Sequence, residues 1–96
     1  MWRAWFYILA SDRNGTLYCG STNDLGRRMW EHKAHLRVGF TSRYDVTRLV
    51  HYEGFELLVQ ARAREYAVKK WRRAWKLALI EARNPSWRDL IDELNN

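Results

Sequence analysis

Apolar residues fill the start of the chain almost without a break. From Trp2 to Ala10 only Arg3 is charged, and a run this continuous fits a strand buried on both faces. Ser11-Asp12-Arg13-Asn14-Gly15 is turn chemistry, with Asn-Gly the strongest short hairpin signal, so residues 16–21 are expected to return as the second strand. Thr22-Asn23-Asp24 supplies helix-capping side chains, and a helix is expected from there to about residue 36. Gly39 to Asp45 reads as a polar loop and Thr47 to Tyr52 as a third strand. Helical spacing covers Leu57 to Trp71 and again Ala74 to Ala82. Pro85 marks a break, and Ser86 is expected to cap a short last helix through Leu94.

The order β-β-α-β-α-α-α predicts an α/β chain of the α+β type, a small three-stranded, mainly antiparallel sheet flanked by helices. At 96 residues the whole chain, 1–96, is expected to be one domain with a thin core.

Composition narrows the function. Hydrophobic residues make up 47% and charged residues 29%, which is globular rather than disordered. No apolar run is long enough for a membrane span, and the apolar start lacks the flanks of a signal peptide. The single cysteine excludes an internal disulfide, no Cys/His cluster has zinc-finger spacing, and a cytoplasmic location is expected. The net charge is +6, which favours a polyanionic partner, nucleic acid first. Residues 60–88 carry nine basic and two acidic residues, so the surplus is local. Lys69, Lys70, Arg72, Arg73 and Lys76 are the expected phosphate contacts. Trp71 and Trp75 lie among them, either as core or as stacking platforms for bases.

Several polar residues fall on or beside apolar stripes. Leu25, Met29 and Leu36 define one face of the first helix, with Arg28 and His32 alongside it, four residues apart. A polar group beside a core-facing stripe costs free energy unless it is paired or used. Glu65 sits within a stripe of Leu58, Ala61, Val68 and Trp75, where a carboxylate wants a cation: Arg, Lys or a metal. A second strip (Val59, Ala63, Tyr66 and Ala67) leaves the inward face of that helix open. Tyr7 and Tyr18 lie on either side of the hairpin turn and can approach each other. Each of these has an ordinary reading as an ion pair, a satisfied histidine or simple packing. A Cys19/His pair would be a further nucleophilic alternative, although a small buried strand residue accounts for Cys19 better.

Taken together these residues resemble the GIY-YIG nuclease superfamily, most closely its small stand-alone bacterial members. Trp5-Phe6-Tyr7 resembles the first half-motif, with Trp5 and Phe6 in place of Gly and Ile. Tyr18-Cys19-Gly20 resembles the second, with Cys19 in place of Ile. Asp24 to His32 resembles the arginine-bearing helix, and Ala61-Arg62-Ala63-Arg64-Glu65 the segment ending in the metal-binding glutamate. Lys70 to Lys76 and Asn84-Pro85-Ser86-Trp87 resemble the C-terminal part of the stand-alone members.

The resemblance implies that Tyr7 activates water, Tyr18 assists, Arg28 steadies the phosphate and His32 fills a His or Tyr position of the family. It implies that Glu65 is the single protein ligand of one divalent metal, Mg²⁺ or Mn²⁺. The expected function is a metal-dependent DNA endonuclease acting on single-stranded, branched or duplex DNA as a monomer or weak homodimer. A nucleic-acid-binding module with weak or no catalysis is the alternative, and a protein-interaction domain with a basic face is the third.

Overall fold

The computed structural model describes residues 2–36 and 39–95. The apolar start forms β1 (Ala4–Ala10), which is central in a three-stranded antiparallel sheet between β2 (Leu17–Thr22) and β3 (Arg48–Phe55). Its central place explains the uninterrupted apolar sequence, because neither face meets water: Ala4 and Phe6 to Ala10 are all fully buried. Beyond the sheet come α1 (Leu25–Lys33), α2 (Phe40–Arg43), α3 (Leu58–Lys69), α4 (Arg73–Arg83) and a final 3-10 helix, Leu90–Asn95. The expected α+β architecture is therefore the observed one. Among the described residues no helix is long and apolar enough to cross a membrane.

Each face of the sheet has its own core. Phe6, Ile8, Ala10, Cys19 and Val50 pack with Val68 of α3, Ile80 of α4 and Trp87. Tyr7, Leu9 and Leu49 pack on the other side with Leu25 and Met29 of α1, Val46 and Leu90. Alternate residues of one strand thus belong to different layers. Between Ile8 and Leu9 the pairing with β3 slips by one residue and skips Val50, so Leu49 rather than Val50 lies opposite Leu9 and shares its core.

The structure revises several boundaries. Helix α1 stops at Lys33, short of residue 36, because His35 takes a left-handed backbone (φ 55°) and breaks the helical ladder. Leu36 consequently lies outside the helix and is exposed, so it does not extend the Leu25–Met29 face. The expected loop at 39–45 contains the short helix α2, and β3 runs on to Phe55. On α3 the inward stripe is the one through Ala61 and Val68, while Val59 and Tyr66 face solvent. Trp75 leaves that stripe, since the chain turns between Lys69 and Arg73, and it is exposed. Trp71 packs against the core.

The last helix is held by Asp89 rather than Ser86. One Asp89 oxygen accepts from the backbone N–H of Ile91 (3.1 Å) and of Leu49 (3.2 Å), and the other accepts from Lys33 Nζ (2.6 Å). One side chain therefore ties the C-terminus to β3 and α1. Asn84, which is buried, donates to the Val50 and Arg88 carbonyls and accepts from the Arg88 N–H. These bonds help hold the following turn, in which fully buried Trp87 adopts φ 59°, a strained value for a bulky residue.

Candidate active site

Strand register places the two tyrosines together. Tyr7 pairs with Gly20 and Leu9 with Tyr18, so residues 7, 9, 18 and 20 share the α1 side of the sheet. A Cβ on Gly20 would lie 2.5 Å from the Tyr7 ring and hydroxyl, so the glycine is what admits the phenol. The Tyr7 and Tyr18 rings are 6.4 Å apart.

Helix α1 brings the third ring. Its N-terminus is capped by Asp24, which accepts from the Arg27 N–H at 3.1 Å, and this sets the helix start two turns before His32. His32 is buried, 6.0 Å from the Tyr7 ring and 5.8 Å from the Tyr18 ring, edge-on to both. Its Nε2 lies 3.3 Å from the Tyr7 hydroxyl. Its Nδ1 lies 3.1 Å from the hydroxyl of Thr41 on α2. Thr41 is itself buried; no role was legible for it in the sequence, although Gly39 to Tyr44 also resembles the family.

Arg28 precedes His32 by one helical turn and is paired with Glu31 at 3.3 Å. Arg27, the more exposed of the two arginines, reaches the same carboxylate at 3.4 Å. These three side chains, with Thr22, Asn23 and Asp24, line a polar groove of about 480 Å³ at the start of α1.

Glu65 approaches from the other layer. It is one-fifth exposed, accepts a 2.5 Å bond from the Ser21 hydroxyl and pairs with Lys69 Nζ at 2.5 Å. Ser21 follows Gly20 directly, so its side chain points to the α3 side of β2. The structure therefore joins Tyr7, Tyr18 and His32 in one cluster on the α1 side of the sheet, and anchors Glu65 on the α3 side through Ser21, the β2 residue next to Gly20. Cys19 also faces the α3 layer, away from His32, and burial pushes its thiol pKa up, so it does not form a nucleophilic pair with that histidine.

The basic segment divides into two kinds of residue. Lys70 lies 4.0 Å over the Tyr66 ring and Arg72 5.1 Å over Trp75, both cations exposed. Trp75 meets Trp71 edge-on at 6.1 Å. Arg73, by contrast, donates to the Asn14 and Gly15 carbonyls at 2.8 and 2.7 Å, pinning the β1–β2 turn. Lys69 is engaged by Glu65, and Lys76 donates to the Lys69 carbonyl at 3.3 Å.

This arrangement has counterparts among known proteins. The model of the GIY-YIG catalytic domain matches residues 3–78. UPF0213 protein CPE1444 of Clostridium perfringens is 34% identical over 89 residues, covering 93% of this chain and 95% of that protein. A UPF0213 protein of Halobacterium salinarum is 39% identical over 75 residues, covering 78% and 95%. The solution structure of UPF0213 protein BH0048 from Bacillus halodurans superposes with a TM-score of 0.55 at 28% identity, covering 90% of each chain. A tyrosine pair beside an arginine-bearing helix, on this sheet and with this coverage, has one consistent family assignment: the chain belongs to the GIY-YIG family of nuclease domains and is related to the small UPF0213 proteins.

Proposed function

We propose that the protein is a metal-dependent DNA endonuclease that hydrolyses one phosphodiester strand per encounter. The observation that carries this reading is the contact between the buried Tyr7 hydroxyl and His32 Nε2. A phenol with an ordinary pKa near ~10 is a poor base at neutral pH unless its own proton has somewhere to go. His32 Nε2 is in position to receive it. The Tyr7 oxygen then takes a proton from the attacking water, Tyr18 packs the pair and assists at the same centre, and Arg28 steadies the phosphate charge. Arg28 exchanges its contact with Glu31 for the phosphate when substrate enters the groove.

Glu65 and Ser21 offer hard oxygen donors, and a cation, the Lys69 ammonium, already rests on the carboxylate. That donor set fits one Mg²⁺ or Mn²⁺ completed by water and phosphate. Among the described residues no group of three His, Cys, Asp or Glu surrounds a metal position. When bound, the metal supplies charge stabilisation for the phosphate and the leaving oxygen. Lys70, Arg72 and Lys76, with Lys69 and Arg73 at the margin, hold the DNA backbone, and exposed Trp75 offers a face to unpaired bases of single-stranded or branched DNA. The protein acts in the cytoplasm as a monomer or weak homodimer.

The test is a cleavage panel of single-stranded, duplex, flap and junction DNA, plus RNA, with Mg²⁺, Mn²⁺ or chelator. Cleavage of DNA that needs the metal and is lost in Tyr7→Phe and Glu65→Ala is expected, with DNA binding retained in both. Metal-independent cutting, or a fully active Glu65→Ala, would overturn it. One observation favours a binding module instead: both Glu65 oxygens are already engaged. Salt-sensitive binding without turnover on any substrate would select that alternative.

A further inference from the structure

Thr41 occupies a position that its sequence context does not explain. It lies on a four-residue helix, after Gly39 with φ 122°, and that turn is closed by bonds from Arg43 N–H to the Gly39 carbonyl and from Val46 N–H to the Thr41 carbonyl. The result is a threonine buried to 6% exposure with its hydroxyl 3.1 Å from His32 Nδ1, while the opposite ring nitrogen faces Tyr7.

We propose that Thr41 is a positioning residue that holds neutral His32 in the tautomer with its proton on Nδ1. The inference rests on the reading of Tyr7 and His32 as a proton-transfer pair. The two ring nitrogens of a neutral imidazole have opposite roles, and the partner of one decides the role of the other. Nε2 can receive the Tyr7 proton only if it carries none itself. A hydroxyl oxygen accepting from Nδ1–H secures this. The order is then Tyr7 O–H donating to Nε2, and Nδ1–H donating to the Thr41 oxygen. On transfer, the O–H bond of Tyr7 breaks and an Nε2–H bond forms. His32 becomes doubly protonated and stays bonded to Thr41, and the charge is balanced by the phenolate. Thr41 touches neither water nor phosphate in this scheme.

The test combines two variants with two readouts. Thr41→Val keeps the shape and removes the hydroxyl; Thr41→Ser keeps the hydroxyl. Long-range ¹H–¹⁵N spectra of the histidine rings at about pH 8.5, above the ordinary histidine range, report the tautomer directly. The wild-type chain and Thr41→Ser are expected to show Nδ1–H, and Thr41→Val to lose that preference. In cleavage, Thr41→Val is expected to lower kcat by about 10- to 100-fold, a partial loss of the roughly 10²- to 10⁴-fold a general base supplies, with KM unchanged. Thr41→Ser is expected to recover most of the rate. An Nε2–H tautomer in the wild-type chain, an unchanged tautomer in Thr41→Val, or an equal loss in Thr41→Ser and Thr41→Val would overturn the proposal. The wild-type spectrum decides the tautomer even where a variant folds poorly. It also separates the two readings: an Nδ1–H signal without any cleavage would sink the nuclease function and leave the Thr41–His32 bond standing.

Discussion

Gly20 lies opposite Tyr7 in the β1–β2 ladder, and the side chain it lacks is the space the Tyr7 phenol fills. Gly20→Ala would put a carbon 2.5 Å from that ring, closer than real contacts come, and Tyr7 is fully buried. Overpacking of this kind costs about 1–3 kcal/mol. The shifted ring also loses its contact with His32, so cleavage should fall more steeply than stability. Gly54→Ala is the comparison: its Cβ would meet Trp2, which is 56% exposed, so that clash falls on a surface ring rather than in the core. Urea unfolding and kcat measured on both variants check this; an active, stable Gly20→Ala would count against the role given to the glycine.

Glu53 controls an acid limb of stability. Burial by itself raises its pKa, but hydrogen bonds from His51 and from Arg64 outweigh this and hold it down to about 2. A carboxyl depressed in the folded state adds stability above its unfolded pKa and surrenders it as pH falls toward the folded value. The contribution should therefore be complete at pH 6 and disappear between about pH 4.5 and 2, on the order of 2–3 kcal/mol for a group this little exposed. Glu53→Gln should flatten that part of the stability curve and be less stable than the parent at pH 7. Denaturant titrations at stepped pH read both effects.

Arg72 and Arg73 are neighbours with different work. Arg72 stacks on exposed Trp75, whereas Arg73 is bonded to the β1–β2 turn. Arg72→Ala is expected to weaken DNA binding and reduce the slope of log K against log salt by about 0.7–0.9, one phosphate contact, without moving the melting temperature. Arg73→Ala is expected to lower stability by about 1 kcal/mol, through two lost bonds to carbonyls, with a smaller change in the salt slope. Salt-dependent anisotropy beside thermal melts separates the two.

Lys69 holds Glu65 from the next turn of α3. Its ammonium and a divalent cation compete for the same carboxylate, so Lys69→Met should bind Mn²⁺ severalfold more tightly in the absence of DNA. Electron paramagnetic resonance titration of Mn²⁺ reads this without any cleavage step. Weaker Mn²⁺ binding in the variant would show that Lys69 supports the site rather than occupying it.

The order of elements was legible because burial leaves a local trace. A short, nearly continuous apolar run followed at once by a hairpin turn fits a strand covered on both sides, and β1 is that strand. Asn14-Gly15 and Asp24 announce a turn and a cap through short-range chemistry. The end of α1 was not legible in the same way. Helical spacing could be extended to Leu36, but the left-handed His35 ends the helix, and no glycine marks the position. Ser86 was a plausible cap by residue type, yet Asp89 holds the last helix because it also reaches Leu49 and Lys33.

By itself the sequence determined the α+β class and the localised positive charge, and through its family resemblance it named Tyr7, Tyr18, Arg28, His32 and Glu65 as candidates. Tertiary structure decided which of them meet. Tyr7 and His32 are 25 positions apart and Ser21 and Glu65 are 44 apart. Their contacts depend on strand register and on how each helix docks, which no periodicity within one segment records. The same is true of Thr41, an unremarkable residue of a polar loop until α2 folds it over His32. Local patterning fixes the face a side chain presents; only packing between distant elements fixes the partner it finds there.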